Sequence, residues 1–218
     1  PSVQKDVIIV VRNAANGSVI ADAEFCIDGQ KTCLKTEADG SVTAQYVEGS
    51  GIRGSISSPG FVPARVNSYP ELATIPNLTV PLVLEGVLAV LADNTMVEID
   101  ETKGHIAFIA SVDYKPLDGQ AGIGISLNPE PGGTGALYFK AGNIAELVAG
   151  DAYEENADKT TTSGAANFYN VEPGTYTATL SGAQDCQTFL GFLNDDKTID
   201  FDIKAGHVTY INLNCPAP

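Results

Sequence analysis

An internal repeat constrains the fold of this chain more than any other feature of its sequence. Residues 35–57 align without a gap with residues 159–181, so that each residue of the first copy meets the residue 124 positions later. The two copies are identical at six positions, which in the first copy are Lys35, Thr36, Gly40, Val47, Glu48 and Ser57. Both copies have the pattern of two short strands with glycine-containing turns. The repeat predicts two copies of one β-domain.

The strands that precede the repeat also occur twice. The β-branched run at 6–12 predicts a strand with both faces covered, and the run at 105–112 matches it. Residues 21–27 alternate between apolar and polar, as residues 122–127 do at an offset of 100. The offset grows from 100 to 124, so the second copy contains 24 additional residues. We place them in an inserted loop at about 128–159. This loop is expected to lie on the surface, and the sandwich should form without it.

These patterns predict an all-β fold of two tandem antiparallel Greek-key β-sandwich domains, of transthyretin or immunoglobulin-like type. The first domain is expected at 1–98, including a short connector, and the second at 99–218. The connector at 85–94 is compatible with a strand or a helix, and a helix is slightly preferred. One helical face would contain Leu88, Leu91 and Ala92, and Asn94 could cap the C-terminus.

Two further expectations concern particular strands. Prolines recur at positions 63, 70, 76 and 81. Because proline has no backbone N–H to donate to a ladder, they favour an edge strand and loops over a central strand. Near the end of the chain, residues 198–203 and 207–215 both alternate between apolar and polar. We expect these two runs to pair as a hairpin.

The four cysteines fall two to each predicted domain and are expected to form two disulfides. In a symmetric hairpin Cys26 lies directly opposite Cys33, at a Cα separation that a disulfide accepts; the alternative is two free buried thiols. Cys186 and Cys215 would then tie the final strand to the segment after the repeat. No C-x-x-C pair or nearby histidine completes a tetrahedral metal site. Disulfides favour an oxidising compartment, so we expect an extracellular, cell-surface or periplasmic protein.

The charge of the chain argues against two classes of partner. There are 27 acidic and 12 basic residues, and the net charge is −15. Nucleic acids and anionic membranes are bound through basic patches, so neither is expected as a partner. No apolar run is long enough to cross a membrane, and no membrane insertion is expected. The sequence opens at Pro1 without a signal peptide, and we expect a leader or lipid anchor to be absent from it.

Short turn motifs resemble a known family. Residues 36–42, T-E-A-D-G-S-V, are followed by S-x-P-G-F within residues 56–61, and this combination resembles the carboxypeptidase regulatory-like domains. Residues 115–119 and 171–176 are similar to the P-L-x-G and P-G-x-Y turns of the same group. The resemblance implies a transthyretin-like Greek-key sandwich in a bacterial secreted or lipid-anchored surface protein. It implies no catalytic residue and no cofactor, since members act as spacers, accessory domains or adhesion modules.

The residues that could perform catalysis or bind a metal are few. The only histidines, His105 and His207, begin strands and are expected to be partly exposed, and no nucleophile motif accompanies them. Two acidic clusters could bind calcium, but neither matches a calcium-binding loop, so solvated acidic loops and no metal are expected. The clusters are Asp93, Glu98, Asp100 and Glu101 in the connector region, and Asp151, Glu154, Glu155 and Asp158 in the insertion.

Three aromatic residues of the insertion, Tyr138, Phe139 and Tyr153, are candidate binding residues. In one interpretation Tyr138 or Phe139 fills the core of the sandwich from an extra strand at 137–139. In the other, the three side chains form a platform that stacks on a sugar or another module. The leading functional prediction is a non-enzymatic extracellular structural or adhesion module, whose partner would be an unknown protein or carbohydrate at the cell surface. The alternative is a carbohydrate-binding accessory domain of a larger secreted protein.

Overall fold

The computed structural model describes residues 3–68, 77–113, 115–140, 151–182, 185–195 and 198–216. Within these residues the chain forms seventeen β-strands and one α-helix. Residues 1–98 are called the first half below, and residues 99–218 the second half.

The first half contains two sheets around one core. Its elements are β1 (Gln4–Asn13), β2 (Glu24–Ile27), β3 (Leu34–Lys35), β4 (Ser41–Val47), β5 (Ile52–Ser57), β6 (Ala64–Ser68), β7 (Asn77–Leu82) and the helix α1 (Glu85–Asp93). Strand β1 pairs antiparallel with β4 and parallel with β7. Opposite this sheet, β5 pairs antiparallel with β2 and β6, and β2 pairs with β3. Val7, Ile9 and Val11 alternate toward the core, where Phe25 and Ile56 of the other sheet are fully buried.

The second half repeats this pairing. Its strands are β8 (Gly104–Val112), β9 (Lys115–Gly119), β10 (Gly124–Asn128), β11 (Leu137–Tyr138), β12 (Ala165–Val171), β13 (Gly174–Ser181), β14 (Gln187–Leu190), β15 (Phe192–Asp195), β16 (Thr198–Ile203) and β17 (Val208–Cys215). Strand β8 pairs antiparallel with β12 and parallel with β17, as β1 does with β4 and β7. Strand β13 lies between β10 and β16, as β5 lies between β2 and β6. A second core fills the space between these sheets.

The internal repeat therefore corresponds to a repeated pair of strands. Strand β12 begins 124 residues after β4 begins, and β13 ends 124 residues after β5 ends. Gly40 and Gly164 occupy matching turns with φ of 75° and 65°, a conformation that glycine adopts without steric cost. The repeated strands and turns inferred from the sequence are confirmed.

A single ten-stranded sheet runs through both halves. Strand β17 of the second half pairs in parallel with β6 of the first half, with Val208 opposite Ala64 and Thr209 opposite Arg65. Strand β14 pairs with β17 along the same edge, further toward its C-terminal end. As a result every residue of β17 is buried, although its sequence alternates between apolar and polar.

Two sequence expectations about strand environments are wrong. Strands β16 and β17 belong to different sheets and do not pair as a hairpin, because β17 instead lies between β8 and β6. Strand β1 is not covered on both faces, since Ile8 on its outer face is 41% exposed. The edge-strand expectation from the prolines holds for β7, which contains Pro81 and pairs within the described residues only with β1. It fails for β6, which directly follows Pro63 and lies between β5 and β17, while Pro70 and Pro76 lie outside the described residues.

The connecting helix and both disulfides are confirmed. The buried residues of α1 are Leu88, Leu91 and Ala92. Asn94 forms the C-cap, and its side-chain amide donates to the Val90 carbonyl at 2.7 Å. Cys26 is bonded to Cys33, and the β2–β3 register places them opposite each other. Cys186 is bonded to Cys215. In the part of the chain that the structure describes, no helix is long and apolar enough to span a membrane.

Candidate functional site: the junction between the halves

The two halves meet at a junction, where β6 and α1 of the first half contact β16, β17 and the insertion of the second half. Val208 donates its backbone N–H to the Pro63 carbonyl at 2.8 Å. Gly191 donates in the same way to the Asn67 carbonyl at 2.6 Å, and the Ser68 hydroxyl donates to the Phe189 carbonyl at 2.8 Å. The junction is therefore held by backbone bonds as well as by side chains.

Arg65 is the charged residue at the centre of the junction. Its side chain is only 6% exposed and lies between two carboxylates from different halves. The Nε–H donates to Asp202 Oδ2 at 2.6 Å, and the two Nη groups donate to both oxygens of Asp28 at 2.9 and 2.5 Å. Such charge-assisted bonds to a planar guanidinium fix direction as well as distance. Arg65 thereby links β16 of the second half to the turn after β2 in the first half.

The electrostatics of this bridge follow from its geometry. Hydrogen bonding to Arg65 holds the pKa of Asp28 below its usual value, although burial opposes the shift. Burial of Arg65 disfavours its charge, but the bonds to Asp28 and Asp202 outweigh it and raise the arginine pKa. Asp28 and Arg65 are therefore both charged at neutral pH. Removing Arg65 would leave Asp202, whose side chain is 25% exposed, without its cation.

The insertion aromatics are buried. Tyr138, Phe139 and Tyr153 are 3%, 5% and 8% exposed. Tyr138 belongs to the core of the second half and accepts a hydrogen bond from the Ile125 N–H at 2.9 Å. Phe139 and Tyr153 pack together at 4.6 Å between ring centroids and join the core of the first half. The interpretation as core residues describes these positions better than an exposed platform, and a role in binding a partner stays a prediction.

A small polar network lies beneath these rings. The hydroxyls of Tyr153 and Tyr169 are 2.5 Å apart, and the Asn167 amide donates to both, at 3.1 and 3.0 Å. Burial raises the pKa of both tyrosines, so their hydroxyls stay protonated and act as donors and acceptors. Tyr210 of β17 joins the first-half core as well and hydrogen-bonds the backbone of Val83. The network of Tyr153, Tyr169 and Asn167 lies within the second half, whereas the Tyr210–Val83 bond joins the two halves.

The connector is fastened by asparagine side chains. Asn170, at φ of 55°, accepts from the Asp100 N–H at 2.9 Å and donates to the Glu98 carbonyl at 2.8 Å. Asn94 at the end of α1 accepts from the Asp151 N–H at 2.7 Å. These bonds fix the backbone of Glu98 and Asp100 in the connector and of Asp151 in the insertion. Among the described residues there is no group of three or more side chains that could hold a metal ion.

His105 lies in β8 and His207 directly precedes β17, and the His105 backbone N–H donates to the His207 carbonyl at 2.9 Å. His105 is only 2% exposed, so the expectation of partial exposure is wrong for it. Burial lowers the pKa of His105 to about 4, and its Nδ1 accepts from the Asn170 N–H at 3.3 Å. His207 is partly exposed as expected, and burial lowers its pKa too. The described contacts of His105 and His207 assign them no catalytic role.

A shallow cleft of about 540 Å³ lies in the first half, and its lining includes Pro63, whose carbonyl accepts the junction bond from Val208. Its acidic residues include Glu24, which is paired with Lys35 at 3.3 Å, and Glu85 at the start of α1. No histidine lines it, so it lacks the base that hydrolytic chemistry of the serine type requires.

The sequence analysis missed Arg65, Tyr169 and Tyr210. One signal was present in the repeat: Gln45 of the first copy corresponds to Tyr169 of the second, and Thr43 corresponds to Asn167. In β4 this face is exposed, whereas in β12 it is buried. When the outer face of a repeated strand carries an aromatic residue in one copy only, other parts of the protein are expected to cover that face in that copy.

Comparison with known proteins gives limited information. No family model matches the chain, and no curated protein matches its sequence. Among solved structures, a shaft pilin SpaA from Lactobacillus rhamnosus GG is similar at 13% identity and a TM-score of 0.28, over 99% of this chain and 100% of that one. The minor pilin GBS52 of Streptococcus agalactiae is similar at 10% identity and a TM-score of 0.32, over 98% and 96%.

The Bacillus anthracis TIE protein is similar at 14% identity and a TM-score of 0.27, over 99% of this chain. This chain spans only 34% of that protein. At TM-scores this low, none of these similarities establishes a common fold or a common role.

Proposed function

We propose that this chain is a non-enzymatic extracellular structural or adhesion module of a surface protein. The observation that carries the proposal is the joining of the halves: one sheet, the Arg65 bridge and a shared core connect them. A module that holds its two ends at a fixed spacing needs such a junction, whereas a catalyst needs a pocket with convergent reactive groups. The two disulfides support a location outside the reducing cytosol.

We propose further that the halves are tandem Greek-key sandwich domains of the carboxypeptidase regulatory-like type, divided near residue 98. Support comes from the repeated strand pairing, in which a first strand lies parallel to the last strand of each half. The fastened connector and the shared sheet then make two domains behave as one body.

The three aromatic residues of the insertion do not support carbohydrate binding. Stacking on a sugar requires an exposed ring face, and Tyr138, Phe139 and Tyr153 are each less than one-tenth exposed. We propose instead that these aromatics serve within the chain, with Phe139 and Tyr153 attaching the insertion to the first half.

Labelling of intact cells tests the proposal. Antibodies raised against the folded chain should label unpermeabilised cells of the source organism, and beads coated with the chain should be retained on surfaces that those cells colonise. Labelling that appears only after lysis would contradict a surface role. Turnover in a screen of hydrolase substrates, with loss of activity in a pocket variant such as Glu85→Gln, would contradict a non-enzymatic role.

A further inference from the structure

The first and last strands of the second half have a particular mechanical relationship. Strands β8 and β17 are parallel and paired over eight residues, from His105 opposite Val208 to Val112 opposite Cys215. The chain enters β8 at one end of this ladder and leaves β17 at the other. A pull applied at Gly104 and Cys215 is therefore directed along the ladder and in opposite directions on its two strands.

This direction determines how the hydrogen bonds are loaded. When paired strands are pulled along their length from opposite ends, all the bonds between them share the load and must break together. When the same strands are pulled apart from one end, the bonds break one after another and each breaks under a small load. Forced unfolding is governed by the rate of crossing the unfolding barrier, so the loading geometry sets the rupture force.

The loaded end of β17 is also fastened covalently. Cys215, the last residue of the strand, is bonded to Cys186, which immediately precedes β14. Strand β14 pairs with β17 from Gln187 opposite Asn214, beside the disulfide. Tension that enters at Cys215 is thus divided between β17 and the segment before β14. The two cysteines are 29 residues apart in sequence, and the disulfide prevents the segment between them from being extended.

The other edge of β17 is supported as well. Strand β6 of the first half pairs with β17 at Val208 and Thr209, where the strand begins. The Thr209 hydroxyl donates to the Asp202 carbonyl at 3.1 Å, and the Asp202 carboxylate accepts from Arg65. Strand β17 is therefore held along its whole length by β8 on one side, and on the other side by β6 at its beginning and by β14 near its end.

We propose that the second half bears tension between Gly104 and Cys215, with the β8–β17 ladder loaded in shear and the Cys186–Cys215 disulfide securing the loaded end. The biological meaning of this function rests on the proposed structural role, whereas the mechanical behaviour can be measured without it. The first half has the same parallel arrangement of β1 and β7, but neither of its disulfide-bonded cysteines lies at the end of β7.

Single-molecule pulling of the full chain tests this proposal in two geometries that share one attachment. For the shear geometry, handles are attached through non-cysteine chemistry at the exposed residues Glu101 and Pro216. For the unzipping geometry, the second handle moves to the exposed Ala205, which precedes β17. Gly206 donates its N–H to the Lys103 carbonyl at 2.8 Å, so both unzipping handles lie at the same end of the ladder.

We expect a clearly larger rupture force in shear than in unzipping. Equal forces, or a larger force in unzipping, would overturn the proposal, and this comparison needs no destabilising substitution. If surface labelling succeeds while the forces are equal, the mechanical proposal fails and the structural role stands. If the shear force is larger but intact cells are not labelled, the mechanical proposal stands and the proposed surface role fails.

The part played by the disulfide is measured separately. Cys186→Ser with Cys215→Ser, or reduction of the tethered wild-type chain, should lower the rupture force in shear. It should also lengthen the extended chain by about 100 Å, the span of the released segment at roughly 3.5 Å per residue. The matched control, Cys26→Ser with Cys33→Ser, removes the disulfide of the first half and should leave the shear force unchanged. An unchanged force in the first variant would overturn the securing role of Cys186–Cys215.

Discussion

Arg65 of β6 and Asp202 of β16 are joined by a 2.6 Å hydrogen bond across 137 residues of sequence. The bond connects the two halves at a point where Arg65 also binds Asp28 of the first half. The same strand that contains Arg65 adds β17 to the sheet of the first half. The charged bridge and the continuous sheet therefore depend on each other.

We expect the substitution Arg65→Met to destabilise the chain by about 3 kcal/mol, because it leaves the partly buried Asp202 without its cation. Asp28→Asn is the matched control. The Asp28 side chain is 50% exposed, so its variant should cost less than about 1 kcal/mol. Urea unfolding measures both effects. A loss for Asp28→Asn as large as that for Arg65→Met would show that the bridge to Asp202 is not the important contact.

The two disulfides are expected to contribute unequally to stability. The loop closed by Cys26–Cys33 has a separation of 7 residues and that closed by Cys186–Cys215 a separation of 29. Chain entropy then predicts a loss of about 2.4 kcal/mol for the first and about 3.6 kcal/mol for the second when each is replaced by serines. Thermal unfolding of the two double variants tests this order. Thiol titration of the unfolded, unreduced chain should detect no free thiol, and four reactive thiols would contradict both pairings.

Phe139 should behave as a core residue although it lies in the insertion. It is 5% exposed and packs on Tyr153, so Phe139→Ala should cost about 3 to 4 kcal/mol of unfolding free energy. Phe139→Leu, which keeps most of the volume, should cost less. A loss below about 0.5 kcal/mol for the alanine variant would match a surface residue instead. Trimming of the insertion should accordingly destabilise the chain, contrary to the expectation of a dispensable excursion.

His105 should make stability depend on pH. Its pKa is lowered from 6.5 to about 4 in the folded state, so the unfolded chain binds the proton more readily. The stabilisation is complete above pH 6.5 and decreases as the pH falls toward 4, by no more than about 3 kcal/mol. The pKa of Asp28 is lowered from 3.8, so protonation of this carboxylate would reduce the stability only at lower pH.

Urea unfolding at pH 7 and pH 4.5 measures the His105 contribution. His105→Gln should reduce the difference in stability between the two conditions, whereas His207→Gln should change it less because His207 is partly exposed. An equal pH dependence in wild type and His105→Gln would show that other groups cause the acid sensitivity.

Local features of the fold were predicted correctly from the sequence. The sequence predicts the repeated strands, the helix with Leu88 and Leu91 inward, and the Cys26–Cys33 pair, and the structure contains all of them. Each of these depends on neighbouring residues: a strand on alternation, a helix on the spacing of its apolar face, and a hairpin disulfide on the symmetry of its turn. The information is contained within a short segment, so the sequence by itself determined these features.

The junction was decided only by the tertiary structure. Alternation shows that a strand has one apolar face, but it does not show whether solvent or another sheet covers the second face. Strand β17 is buried on both faces because Tyr210 lies in the first-half core and Leu213 in the second-half core. By contrast, Ile8 of β1 stays exposed because no described element covers it. The partners of Arg65 and Tyr210 come from distant parts of the chain, and packing alone brings them together.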